Sequence, residues 1–200
     1  VLSQLGVDTV EDLFYYPPRR YEDRSQWLTI SELVPEQVAT IRAAVRSCTI
    51  RRTRRGQAIV DATFGDDTGE VTCLWFHQPY LAGQLKEGGE WILHGRIEDG
   101  RKRQVVHPEL ERADGDGDAS LDMGRIVPIY PLAGPLSQRW LRRLAWAALE
   151  RYRDDILDAL PEDVRASHHW PVLAEAIREL HFPSSWAALE AAQQRLAFDE

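Results

Sequence analysis

Two aromatic rings four residues apart, Phe76 and Tyr80, are the side chains in this 200-residue sequence best suited to hold a ligand. In the run Glu70 to Phe76, Val71, Cys73 and Trp75 alternate with Thr72, Leu74 and Phe76, and successive side chains of a strand point to opposite faces. If the first set is core, Phe76 faces outward. Tyr80 follows just past Pro79 at the start of a short helix, so both rings can project near one corner of a barrel. The chemistry open to such a pair is stacking, since an unpaired base on an aromatic ring gains roughly 1–3 kcal/mol whatever its identity. A short helix that plugs a barrel would instead use Tyr80 to cap the core, and spacing alone leaves both uses open.

A second constellation is cationic. Arg42, Arg46, Arg51, Arg52, Arg54 and Arg55 fall in 14 residues that contain no acid. Arg51, Arg52, Arg54 and Arg55 are the candidates for phosphate contacts, and a solvated hairpin edge guarded by charge would show the same run. The whole chain carries −8, which excludes tight, indiscriminate DNA binding. Residues 38–112 carry 12 Lys+Arg against 10 Asp+Glu, so +2, and the remainder carries −10. Any nucleic-acid role is therefore local.

Other chemistries fail on spacing. Asp114, Asp116 and Asp118 alternate like a calcium loop, but Ala119 stands where that loop needs glycine and Arg125 where it needs glutamate. The run reads as a flexible loop. Neither lysine, Lys86 or Lys102, follows a glycine, so no phosphate-cradling Gly-Lys motif is present and the segment is expected to hydrolyse no ATP. The six histidines and two cysteines lack ligand spacing, so no metal is expected. Cys48 and Cys73 each sit in an apolar run, where a thiol acts as a small buried hydrophobe. Asp66, Asp67 and Glu70 bracket a hairpin turn and belong there for backbone reasons; with Asp61 they make no coherent catalytic set.

The elements that must position the rings follow from pattern. Val38 to Ile50, Ala58 to Phe64 and Glu70 to Phe76 have strand periodicity, the last two joined by Asp66-Asp67-Thr68-Gly69. A short helix, Tyr80 to Leu85, precedes strands at Glu90 to Ile97 and Arg103 to His107. Strand, strand, strand, helix, strand, strand is the order of an OB-fold, the small Greek-key barrel. Before it, Thr9 and Asp12 cap a helix from Val10 to Tyr16 that Pro17-Pro18 stops, and a polar segment runs from Arg19 to Gln26. After it, an extended stretch at Ile126 to Pro131 leads to a helix capped by Ser137, with Leu136, Trp140, Leu141, Leu144, Ala148 and Leu149 on one face, and to helices at Pro171 to Leu180 and Trp186 to Phe198.

The expected fold class is thus α+β: a five-stranded OB-fold Greek-key β-barrel flanked by N-terminal and C-terminal helical segments. The expected division is 1–37 as helical segment and linker, 38–112 as the barrel, 113–135 as flexible loop and extended connection, and 136–200 as a helical segment. With 44% hydrophobic residues the chain can build a core, and no apolar run reaches the length a bilayer requires. No basic stretch followed by an apolar core and a cleavage site opens it, so a cytoplasmic protein is expected. The helix still running at Asp199-Glu200 suggests a piece of a longer chain.

An ordered set of short motifs resembles the N-terminal wedge region of the RecG helicase family. They include Leu5-Gly6-Val7, Thr9-Val10-Glu11-Asp12-Leu13, Pro18-Arg19-Arg20-Tyr21-Glu22-Asp23, Asp67-Thr68-Gly69, Trp75-Phe76 with Pro79-Tyr80-Leu81, and His107-Pro108-Glu109. Ile126-Val127-Pro128, Tyr130-Pro131, Leu136-Ser137-Gln138, Leu160-Pro161, His181-Phe182-Pro183 and Arg195-Leu196-Ala197-Phe198 continue it nearly to the end. The resemblance implies an ATP-dependent, bacterial DNA helicase that remodels stalled replication forks and Holliday junctions in recombination and repair. In such proteins the wedge splits strands at the branch point while motor domains, outside this segment, bind ATP and Mg2+. It further implies that Phe76 and Tyr80 match the pair that stacks on bases flanking the junction. Branched DNA and single-strand DNA-binding protein are the implied partners of a monomeric, nucleoid-associated enzyme. The family's usual asparagine after the phenylalanine is His77 here.

Overall fold

A computed structural model of the chain describes residues 1–53, 56–99, 103–113 and 121–199. In chain order the strands are β1 (Arg20–Asp23), β2 (Trp27–Leu28), β3 (Val38–Arg52), β4 (Ala58–Gly65), β5 (Glu70–Phe76), β6 (Glu90–Glu98), β7 (Gln104–Val106), β8 (Glu109–Arg112) and β9 (Ile126–Ile129). The helices are α1 (Val10–Phe14), α2 (Gln138–Tyr152), α3 (Glu162–His168), α4 (Leu173–His181) and α5 (Trp186–Asp199). They fall into two compact units, Arg24–Gly124 and Val1–Asp23 with Arg125–Glu200.

The first unit is a closed barrel. Its ring runs β3-β4-β5-β7-β6 and returns from β6 to β3, with β5 and β7 parallel and the other ring pairs antiparallel. This is the OB-fold order predicted from the sequence. One 15-residue strand serves two neighbours: Val38 to Ala44 of β3 pair with β6, and Ala44 to Arg52 pair with β4. The transfer is made at a bulge between Val45 and Ser47, which bends the strand around the barrel. Beyond the predicted elements, β2 lies parallel to β3, and β8 lengthens the sheet along β6.

The inward residues of each strand fill the barrel. Phe64 meets Trp75 edge-on at 6.3 Å, and the Trp75 indole N–H donates to the Pro108 carbonyl at 3.1 Å. The short 3-10 helix Pro79–Gly83 closes one end through Leu81, and Leu85 follows it into the core. Cys48 is opposite Ala62, itself opposite Cys73. The thiols are therefore two strand spacings apart, about 10 Å, too far to bridge. Burial pushes both thiol pKa values up, the nearby Asp61 charge adding to it.

Closure requires a glycine at one place. A Cβ on Gly95 of β6 would lie 2.7 Å from Val105 Cγ1 and 3.3 Å from the Pro108 backbone. Gly95→Ala is therefore expected to destabilise the barrel by about 1–3 kcal/mol through overpacking, read as a lower midpoint in urea. An unchanged midpoint would mean that β7 gives way without loss.

The second unit is built on helices around a two-stranded ribbon. Thr9 Oγ1 accepts the Asp12 N–H while the Asp12 carboxylate accepts the Thr9 N–H, the capping box expected of α1. β1 pairs antiparallel with β9, from Arg20 opposite Ile129 to Asp23 opposite Ile126. Ser137 caps α2 by accepting the Trp140 N–H at 3.2 Å. The apolar buried residues of α2 are Leu141, Ala145, Ala148 and Leu149, and Arg142 is buried beside them. The sequence reading placed Trp140 on that face, whereas it is half-exposed in the first turn, one position off the packed face.

Candidate nucleic-acid interface

Alternation in β5 is realised as the sequence suggests. Val71, Cys73 and Trp75 are buried, and Thr72, Leu74 and Phe76 take the outer face with partial exposure. Phe76 closes β5. Its cross-strand neighbour in β4 is Ile59, and Ile59 in turn is opposite Arg51 in β3. One row across the outside of the barrel therefore reads cation, aliphatic, aromatic.

The row is extended by a residue that sequence reasoning did not single out. The His107 ring lies against Phe76, centroids 5.5 Å apart and planes tilted by 52°. Its Nε2 accepts the Phe76 backbone N–H at 3.4 Å. Parallel pairing of β7 with β5, Val106 opposite Leu74, carries the next residue, His107, to the end of β5. Its N–H then donates to the Leu74 carbonyl at 2.8 Å. A β5–β7 parallel register leaves no local mark in the sequence; the motif His107-Pro108-Glu109 was the available hint.

Tyr80 is 62% exposed, in the first turn of the 3-10 helix. The core is capped by Leu81 and Leu85, not by Tyr80, which removes the plug role left open by spacing. Its hydroxyl donates to Gln78 Oε1 at 3.4 Å. Of the two residues between these elements, His77 and Gln78, the first has φ +62°. Asparagine and histidine are both enriched in that left-handed conformation. The departure from the family's asparagine is thus compatible with the backbone this turn requires.

The arginines divide. Arg42 donates to Glu90 through Nε at 3.0 Å and Nη2 at 2.5 Å, and Arg51 is paired with the Asp61 carboxylate. Arg46 is the bulged residue, its exposed side chain lying over Gly65. Arg52 is exposed and has no acidic partner among the described residues. Arg54, Arg55 and the Asp114 to Asp118 run lie outside the described residues.

The hairpin acids do turn chemistry. Burial works to raise the Asp66 pKa, but hydrogen bonds from the Thr68 hydroxyl and from the Ile30, Thr68 and Gly69 amides outweigh it and hold the carboxyl below its ordinary value. Among the described residues no group of three or more His, Cys, Asp or Glu could hold a metal ion. The exposed row can present rings and a cation to a strand; no nucleophile paired with a base stands in it.

Comparison with known proteins gives a consistent result. The family model of the RecG wedge domain matches residues 1–150. The ATP-dependent DNA helicase RecG of Synechocystis is 30% identical over 219 residues, covering 100% of this chain and 26% of that protein. The protein of the same name from Escherichia coli K12 is 29% identical over 214 residues, again covering 100% of this chain and 29% of the relative. A solved structure described as RecG bound to a three-way DNA junction superposes with a TM-score of 0.87 at 26% identity, covering 99% of this chain and 27% of that one. The chain thus spans just over a quarter of the length of the relatives it matches.

Proposed function

Because the chain belongs to the RecG wedge domain family, we propose that it is the branch-point wedge of an ATP-dependent helicase that remodels stalled replication forks and Holliday junctions. The observation that carries this reading is the pair of outward rings at one end of a barrel whose core is complete without them: Phe76 closing β5, and Tyr80, 62% exposed, just beyond it. A ring that the fold does not need, held on a rigid strand end, is a stacking platform for a base that has left its duplex. The relatives named as ATP-dependent helicases and the relative solved with a three-way junction support the same substrate class. ATP with Mg2+ would be held by the longer protein, and the wedge would separate strands that the motor pulls. Among the described residues no helix is long and apolar enough to cross a membrane; a cytoplasmic, nucleoid-associated monomer is part of the proposal.

The test is binding of the chain to forked, duplex and single-stranded DNA of matched length over a salt series. Forked DNA is expected to bind best, and equal affinity for forked and blunt duplex DNA would refute the reading. Phosphate contacts set the salt slope, so Arg52→Ala is expected to flatten it by about one unit for every sequence tested. Arg51→Ala should change it less, because that guanidinium already faces Asp61. A slope untouched by both changes would make the hairpin arginines an edge guard.

A further inference from the structure

We propose that His107 is a DNA-binding residue of this site, bracing the Phe76 ring and offering its own N–H to a backbone phosphate of the nucleotide stacked there; the inference rests on the branch-point reading. Three observations meet. The first is the brace. Phe76 is bounded on one side by Ile59, its partner across β4 and β5, and on another by the imidazole 5.5 Å away. A ring confined in this way has little rotamer freedom left to lose on stacking, and pre-paid ordering appears as affinity.

The second is the tautomer. Nε2 accepts the Phe76 N–H at 3.4 Å, so the ring proton resides on Nδ1. That N–H has no protein partner among the described residues, and the side chain is exposed. A donor on the rim of a stacking platform is placed to meet the phosphodiester that links the stacked base to its neighbour, as most protein contacts to DNA are to phosphate oxygens.

The third is the backbone. His107 has φ +52° and its N–H is fixed on the Leu74 carbonyl at 2.8 Å. Histidine is among the non-glycine residues that adopt a positive φ most readily, so this backbone holds the imidazole at the end of β5. The barrel itself would be satisfied by glycine at this position, which adopts that φ freely.

That last point supplies a clean variant. His107→Gly is expected to leave the melting temperature close to that of the parent chain. Its affinity for forked DNA should fall about 5- to 10-fold while its affinity for blunt duplex is unchanged. In the free chain, carbon-13 relaxation of the Phe76 ring should report faster, wider motion. Combined with Phe76→Ala, the change should cost clearly less than the sum of the two single losses, because the brace acts only through the Phe76 ring while the phosphate contact is His107's own. His107→Asn, which tolerates the same φ, replaces it if the glycine variant melts early; it removes the ring that braces Phe76 but keeps an N–H donor, so a smaller loss of fork affinity is expected. Unchanged fork affinity, or losses that add in full, would overturn the proposal. If Phe76→Ala loses fork affinity and His107→Gly does not, only this proposal fails. If neither does, the branch-point reading fails with it.

Discussion

Replacing Phe76 and Tyr80 together by alanine is expected to lower the affinity of the chain for forked DNA by about one and a half to four orders of magnitude and to leave its fold intact. The size follows from two stacked bases at roughly 1–3 kcal/mol each, set against about 1.4 kcal/mol per tenfold change in affinity. The retention of the fold follows from burial. A fully buried phenylalanine truncated to alanine loses about 3–5 kcal/mol, but Tyr80 is 62% exposed and Phe76 lies outside the core cluster. Melting is measured first. A drop of several kcal/mol would make Phe76 a packing residue and remove the argument. In the proposed full-length helicase, the double change should abolish fork unwinding while DNA-stimulated ATP hydrolysis persists, since a motor can translocate without a wedge. If the variant is stable and unwinds forks normally, the rings serve a docking role, and single-strand DNA-binding protein becomes the partner to test.

The outward face of β5 was legible in the sequence because it is a local property. Seven residues of β5 decide which side chains face in, and the alternation of Val71, Cys73 and Trp75 against Thr72, Leu74 and Phe76 survives folding without change. The barrel order was readable for a related reason: its strands are long, periodic and separated by turn residues, as at Asp66 to Gly69. What was not readable depends on partners far away in sequence. Arg20 to Asp23 looks like a polar linker and is strand β1 only because Ile126 to Ile129 lies beside it. Glu109 to Arg112, four largely polar residues, become β8 by pairing with β6. Glu162 to His168, helix α3, buries none of its residues and so shows no apolar period.

His107 belongs to the same class as those elements. Its place beside Phe76 is set by a three-residue parallel pairing, Thr72 to Leu74 with Gln104 to Val106, and by a left-handed backbone at φ +52°. Neither is written in the residues around it. The rings expected from the sequence and the imidazole found in the structure thus differ in how they are encoded, yet they occupy one end of one barrel. The arginine run shows the complementary case. As a string it is uniformly basic, but folding assigns Arg42 to Glu90 and Arg51 to Asp61, because cross-strand register brings those acids alongside. Arg46 and Arg52 are left facing solvent without an acid among the described residues.

The stability of the helical unit is expected to fall by about 2 kcal/mol between pH 7 and pH 5, with His181 as the cause. This histidine is 0% exposed, and both ring nitrogens are engaged. Nε2 lies 2.9 Å from the Phe14 carbonyl, which can only accept, so Nε2 carries the proton; Nδ1 then accepts the Tyr130 hydroxyl at 2.7 Å. Burial disfavours the charged imidazolium and outweighs the opposing effect of the Phe14 carbonyl, so the pKa drops from 6.5 to about 4. The unfolded chain therefore binds a proton as the pH falls through 6.5, and the folded chain resists until about 4. Stability is complete above 6.5 and declines through that window, approaching a loss of about 3 kcal/mol at its lower end. The other strongly hydrogen-bonded acids act later in an acid titration. Asp158 is one of them: burial would raise its pKa, but the Leu160 and Leu173 amides and Arg195 hold it below its ordinary value, so its contribution is lost only at lower pH. His181→Gln offers an N–H to Phe14 and an oxygen to Tyr130 without a titrating group. Urea unfolding at pH 7 and pH 5 should show the 2 kcal/mol difference in the parent chain and little of it in the variant. An equal drop in both would assign the acid sensitivity to other groups and release His181 from the account.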